Sequence, residues 1–215
     1  MKKGLFITFE GPDGCGKTSI INLLKEYYKD NKKILFTREP GGTVISEKIR
    51  DIILSTKNVE MSKRTEALLY AASRAQHVDE FIRPNLEKGK IIISDRFVLS
   101  SLAYQGGGRN LGIDSVKAIN DFAIDNLAPD FVFFFYVDPL TTLKRKSQSK
   151  DADRLELSGD DFHKRVYDTY IKLLDSMKYE KFLKKIDATK QMLEVFEDVK
   201  NILDKEMEKL SWKCL

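Results

Sequence analysis

The stretch that decides the fold is Leu5-Phe6-Ile7-Thr8-Phe9, followed at once by Gly11-Pro12-Asp13-Gly14-Cys15-Gly16-Lys17-Thr18. The eight residues from Gly11 match G-x-x-x-x-G-K-[ST], the P-loop pattern. The run before them is apolar and β-rich, and after them Ile20, Ile21, Leu23, Leu24 and Tyr27 recur at helical spacing. Strand, glycine loop and helix in that order give the pattern its meaning. The glycines let backbone N–H groups wrap a phosphate chain, the helix N-terminus adds a positive dipole, and Lys17 adds a full charge. The Thr18 hydroxyl suits Mg2+. All eight loop residues therefore read as a nucleoside triphosphate site, for ATP or GTP. Asp13 is the odd member, because a carboxylate beside a polyphosphate is repelled unless it faces something else.

Working outward, apolar runs alternate with amphipathic segments. Strand candidates are 5–10, 33–37, 90–94, 131–137 and 182–187, and helix candidates are 17–30, 44–54, 60–87, 113–127, 139–147, 159–178 and 190–209. Strands separated by helices of this length imply βαβ units. The expected fold is a three-layer α/β sandwich around a five-stranded parallel sheet. Ile91-Ile92-Ile93 and Phe131 to Val137 are apolar throughout, as strands covered on both faces are. In such sheets ligands bind at the carboxyl ends of the strands. There stand the P-loop, Arg38-Glu39-Pro40-Gly41-Gly42, Asp95-Arg96 and Asp138-Pro139. Ser147 to Asp153 is polar and reads either as a mobile lid or as a plain surface loop. Ser158 reads as a helix N-cap ahead of Asp160 and Asp161, and Gly106-Gly107-Gly108 as a turn before the helix at Ile113.

The bulk properties exclude several classes. A chain of 215 residues fits one domain, residues 1–215, with 42% hydrophobic and 33% charged residues as in ordinary soluble proteins. A net charge of +4 is too mild for a nucleic-acid binder. Cys15 and Cys214 form neither a disulfide framework nor a zinc pattern. No signal-peptide pattern precedes the first strand, and the longest apolar run is too short to cross a bilayer. The expectation is a cytoplasmic protein with no membrane partner.

Two acids could complete the triphosphate site, Asp95 and Asp138, each closing an apolar strand. Asp138 precedes Pro139, which also reads as a helix cap. Asp95 has no such reading and is the preferred metal organiser with Thr18, although a simple salt bridge with Arg96 is its competitor. Arg38, Arg50, Arg74, Arg96 and Arg154 all fall near loops or pocket-facing turns. Arginine suits bidentate recognition of phosphate, so several converging on one mouth point to a second anionic substrate and to phosphoryl transfer. Such chemistry works by positioning and by neutralising charge.

GPDGCGKT, TREPGGT (37–43), LLYAASRAQH (68–77), DRFVLSSLAYQGGGR (95–109), DRLE (153–156) and IDAT (186–189) resemble the bacterial thymidylate kinase family from about residue 4 to about residue 208. The resemblance implies γ-phosphate transfer from ATP to dTMP with Mg2+, by a protein that is usually a homodimer. It implies that Asp13 contacts the dTMP sugar, and that Asp95 organises the ion. Arg96 and Arg38 clamp the acceptor phosphate, with Lys17 beside the reacting groups, and Glu39 and Arg50 lie on the dTMP side. Tyr70 stacks on thymine, Arg74 reaches O4, Ser101 and Gln105 meet the base edge, and Tyr104 crowds the 2′ position. Tyr70 otherwise reads as core, and His77 and His163 as structural or surface residues.

Family members carry the catalytic arginine either directly after the P-loop acid, here Gly14, or in the lid. Gly14 places this chain in the lid group, with the lid at about 145–157. Arg154 is then the expected catalytic lid residue, with Lys146 and Lys150 nearby, while Arg145 and the backbone at Ala188 flank adenine. The rivals are another pyrimidine nucleoside monophosphate kinase, or a P-loop switch without catalysis. No Asn-Lys-x-Asp guanine motif is present.

Overall fold

A computed structural model describes residues 4–137, 153–176 and 182–213. Strand β1 (Leu5–Glu10) is buried along its whole length. It lies in the middle of a five-stranded sheet, between β3 (Ile91–Asp95) and β4 (Phe131–Tyr136). Strands β2 (Ile34–Arg38) and β5 (Leu183–Asp187) form the edges, giving the order β2-β3-β1-β4-β5. Every pairing is parallel, with Ile7 opposite both Ile93 and Phe131. The apolar strands are therefore central, and the edge strand Leu183-Lys184-Lys185-Ile186-Asp187 carries the polar residues that an edge tolerates.

The period-two alternation of β1 and β4 distributes their side chains between the two faces of the sheet. Leu5, Ile7, Phe9, Phe133 and Phe135 pack with α1 (Lys17–Tyr27) and α8 (Met192–Lys213) through Ile20, Leu24, Val199 and Leu203. On the opposite face Phe6 packs with Val78, Ile82, Leu86 and Ile92. Phe134 also lies there, against Val166 and Tyr170 of α7 (Asp160–Ser176). Helices α2 (Val44–Leu54), α3 (Lys63–His77) and α6 (Ile113–Ile124) complete that layer. Thr43 and Ser62 cap α2 and α3, accepting from the amides of Ser46 and Thr65. No helix among the described residues is long and apolar enough to cross a membrane.

Three expectations change. The helix anticipated over 60–87 passes through a π-helical turn at Val78–Ile82 before α4 (Arg83–Glu87). Pro84 has no N–H to return to the Glu80 carbonyl, so the regular ladder cannot continue there. Gly106-Gly107-Gly108 is no simple turn. It ends a π-helical segment, Leu102–Gly108, that continues α5 (Val98–Ser101). A Cβ on Gly108 would lie 2.6 Å from the Phe162 ring and 2.7 Å from Val166, so the missing side chain lets α7 close onto this segment. Ser158 does not stand at the cap position of α7: the helix begins at Asp160 directly after Gly159, and the Ser158 hydroxyl donates to the Arg154 carbonyl at 3.2 Å. The helix anticipated at 139–147, Asp138, and the lid up to residue 152 lie outside the described residues.

Candidate active site

The P-loop bends where β1 stops. Gly11, Gly14 and Gly16 take φ values of 143°, 77° and 92°, which are open to glycine at little cost, and α1 starts at Lys17. Lys17 is buried, and its Nζ donates to the carbonyls of Gly11 (2.9 Å) and Pro12 (3.1 Å). Cys15 turns into the core below the loop. Asp13 to Thr18 line one end of a cavity of about 660 Å³ at the carboxyl edge of the sheet.

The other end is made by the segments that follow β2 and β3 and by the buried side of α3. Of the anticipated site residues, Asp13 to Thr18, Arg38, Glu39, Arg50, Tyr70, Arg74, Asp95, Arg96, Ser101, Tyr104, Gln105 and Ala188 all line this one cavity. Gly11 and Pro12 lie just behind it, buried at the root of the loop. Arg145 lies outside the described residues.

Arg96 joins the two ends. It stands just past β3 in a left-handed conformation (φ 71°), and its amide donates to the Phe9 carbonyl at 2.9 Å. Its Nη2 meets Asp13 Oδ1 at 2.5 Å and the Tyr104 hydroxyl at 3.2 Å. Its Nη1 donates to the Gly11 carbonyl at 3.0 Å. The carboxylate that looked out of place in a phosphate loop thus faces a guanidinium, and the local charge is balanced before any ligand arrives.

Arg74 closes the far end. It is 2% exposed and donates to Glu39 Oε2 (2.6 Å), Ser101 Oγ (2.9 Å), the Phe97 carbonyl (3.0 Å) and Asn120 Oδ1. Glu39 in turn meets His77 Nδ1 at 3.0 Å, and His77 Nε2 meets the Thr37 hydroxyl at 2.7 Å. Burial alone would push the Glu39 carboxyl up, but Arg74 and His77 outweigh it and hold the group below the usual carboxylate range. His77 is thus structural in a specific sense: it fixes the acid that fixes Arg74. Tyr70, one helical turn before Arg74, is half-buried and lines the cavity while packing on the core behind it.

Arg38 pairs with Glu47 at 2.8 Å and is exposed, whereas Arg50 donates to the Pro40 carbonyl at 2.8 Å. Arg154 is not brought to the P-loop. Its Nη2 meets Glu66 Oε2 at 2.8 Å, its Nε donates to the Ile53 carbonyl at 2.8 Å, and it is absent from the cavity wall. Glu66 is 1% exposed and also holds Arg109 and Gln105. A buried carboxylate needs such partners, and this demand draws Arg154 away from the donor side. Its neighbours Asp153, Leu155 and Glu156 do line the cavity.

Asp95 Oδ1 is buried without a hydrogen-bond partner among the described residues. An orphaned carboxylate oxygen is unusual. With the Thr18 hydroxyl on the same cavity wall, it fits a hard cation that takes oxygen ligands.

Glu10 was not anticipated as a site residue, although an acid ending an apolar strand just before a P-loop is a visible signal. It is fully buried and accepts from the Phe97 amide at 2.8 Å and the Ser100 hydroxyl at 2.5 Å. Burial pushes its carboxyl up to about 7, against the pull of those bonds and of Arg96 and Lys17. Glu66, Asn120 and Tyr170 were also missed, because a single polar residue inside an amphipathic helix carries no sign of which buried group it serves.

A triphosphate cradle and a second cationic end on one cavity form the layout of a phosphotransferase, and the fold is that of the P-loop nucleoside monophosphate kinases. The family model described as Thymidylate kinase matches residues 9–199. The chain is 56% identical over 200 residues to the thymidylate kinase of Finegoldia magna, covering 93% of this chain and 97% of that one. It is 50% identical over 206 residues to that of Clostridium novyi, covering 94% and 100%. The crystal structure of thymidylate kinase from Ehrlichia chaffeensis superposes with a TM-score of 0.71 at 30% identity, covering 93% of this chain and 98% of that one. The chain belongs to the thymidylate kinase family.

A stability prediction comes from Glu10. Its carboxyl is raised from 4.5 to about 7, so between those values the folded protein keeps a proton that the unfolded chain releases. Stability from this group is present at low pH and lost as pH rises through 7, by about 3 kcal/mol in all. In urea denaturation, the Glu10→Gln variant should gain stability relative to the unsubstituted protein as the buffer moves from about pH 5 to about pH 8. A difference independent of pH would refute this.

Proposed function

We propose that the chain transfers the γ-phosphate of ATP to dTMP, giving dTDP on the way to dTTP, as one kinase domain acting in the cytoplasm. One observation carries the reading: a single cavity runs from the P-loop to a fully buried arginine, with the Asp13–Arg96 pair between the two ends. ATP takes the P-loop end, its phosphates against Gly11 to Thr18 and Lys17, with adenine towards Ala188 and Arg145. The acceptor takes the other end. Arg38 and Arg96 hold its phosphate, with Arg50 and Glu39 beside them, and Asp13 meets the sugar 3′-hydroxyl. Tyr70 stacks on the base, and Arg74, Ser101 and Gln105 address its edge. Arg74 presents a donor, which matches a pyrimidine with an oxygen at position 4 and disfavours cytosine. Tyr104 crowds the 2′ position, which favours deoxyribose.

The donor and acceptor phosphates repel one another, so the protein's task is to neutralise and align them. Arg96 serves both, because its guanidinium reaches the loop carbonyl of Gly11 and the wall of the acceptor end. Thr18 and Asp95 would hold Mg2+, which offsets phosphate charge when bound. Lys17 must leave the loop carbonyls that it now caps and turn to the triphosphate.

The deciding experiment is a coupled assay with ATP and a panel of nucleoside monophosphates. dTMP should give the highest kcat/KM, and turnover of CMP or AMP above dTMP would overturn the assignment.

Gly14 leaves no arginine beside the P-loop acid, so the lid remains the proposed source of catalytic charge. For Arg154 to supply it, the side chain must leave Glu66. On that reading Arg154→Ala lowers kcat by about 10- to 150-fold with little change in dTMP affinity. Lost stability with unchanged kcat would assign Arg154 to Glu66 alone.

A homodimer is proposed through α2, α3 and α6, which lie side by side and expose Ile45, Ile52, Leu68 and Phe122. Sedimentation velocity should give twice the chain mass, and Phe122→Glu should shift it towards the monomer.

A further inference from the structure

At the cavity wall, which Ser100 lines, four groups from four parts of the chain meet: Glu10 at the end of β1, the Phe97 amide after β3, Ser100 in α5 and Tyr170 in α7. The same two hydroxyls face Arg96, whose Nη1 donates to Ser100 Oγ at 3.0 Å and to the Tyr170 hydroxyl at 3.3 Å. Ser100 and Tyr170 are themselves 2.9 Å apart.

Each hydroxyl owns one proton, and an ionised carboxylate can only accept. Ser100 therefore spends its proton on Glu10 at 2.5 Å. The Tyr170 proton goes to Ser100 at 2.9 Å or to Glu10 at 3.4 Å. In either arrangement both protons point away from Arg96 and both oxygens offer it lone pairs. The chain of protons has a direction, and Glu10 sets it.

We infer that Glu10 is a positioning residue for the acceptor phosphate: its buried carboxylate orients the Ser100 and Tyr170 hydroxyls, and these hold the Arg96 guanidinium at the junction of the two substrates. The inference rests on the proposed reading of the cavity. The Phe97 amide bond to Glu10 adds to the effect, since it ties down the backbone next to the left-handed Arg96. A neutral amide in place of Glu10 presents N–H groups to Ser100, releases the serine proton towards the guanidinium, and removes the negative charge behind it. Burial raises the Glu10 carboxyl to about 7, so the ionised form that orients the two hydroxyls prevails above that pH.

The test measures dTMP and thymidine affinity by calorimetry at about pH 8, where the Glu10 carboxylate is ionised, on the full chain, unsubstituted and as Glu10→Gln. The two ligands differ only in the phosphate. The expected result is a loss of about tenfold in dTMP affinity with thymidine affinity unchanged. At about pH 8 the variant should melt no lower than the unsubstituted protein. Equal loss for both ligands, or an unchanged ratio between them, overturns the inference. Tyr170→Phe removes one of the oriented hydroxyls, so it should shift the same ratio in the same direction. If Glu10→Gln does not fold, an unchanged ratio in Tyr170→Phe overturns the inference by itself. Failure of the unsubstituted protein to bind dTMP would instead overturn the proposed function.

Discussion

The ion pair between Arg96 and Asp13 organises the centre of this protein. A guanidinium at the end of β3 reaches across to the loop that follows β1, and the two strands are neighbours in the sheet. The pair is only about one-fifth exposed on either side, so the charges compensate each other in a setting of reduced dielectric. Without it Asp13 would repel a triphosphate and Arg96 would repel Lys17. With it, the phosphate loop and the acceptor end share one wall, and a ligand anion can replace Asp13 on the guanidinium without exposing either charge to an apolar surface.

One pattern recurs at and beside the site: a buried acid holds an arginine in place. Arg96 has Glu10 behind it through two hydroxyls, Arg74 has Glu39 in direct contact, and Arg109 and Arg154 share Glu66. Such acids cost desolvation and return position, because a guanidinium donating to several fixed acceptors cannot swing. His77 extends the second of these pairs to β2, where it meets Thr37. Positioning is what a reaction between two polyanions requires, since misplacing a compensating charge by an ångström loses much of its effect.

Much of the fold was legible because the signals were local. Continuous apolar runs marked β3 and β4 as central, and the parallel arrangement followed from the helical patterns between the strands. The segment over 98–108 was not legible, because Gly107 and Gly108 meet Thr169, Phe162 and Val166 from a helix some fifty residues later. The turn at Val78–Ile82 was hidden for a related reason: Pro84 announced a break, but not that the chain would stay helical through it. Glu10 and Glu66 were visible as acids, yet nothing in their neighbours revealed which buried donors they would meet.

The sequence by itself determined the phosphate loop, the parallel sheet and the identity of most cavity-lining residues. Each of these rests on spacing within a few residues or on motifs that sit at strand ends. Only the tertiary structure decided the pairings. It turned Asp13 towards Arg96, placed Arg154 on Glu66 instead of on the cavity wall, and set Glu10 beneath the guanidinium that joins the two ends. The physical reason is range. Backbone geometry and hydrophobic periodicity act along the chain, whereas a buried charge is settled by whichever opposite charges or donors the packed elements bring within about 3 Å.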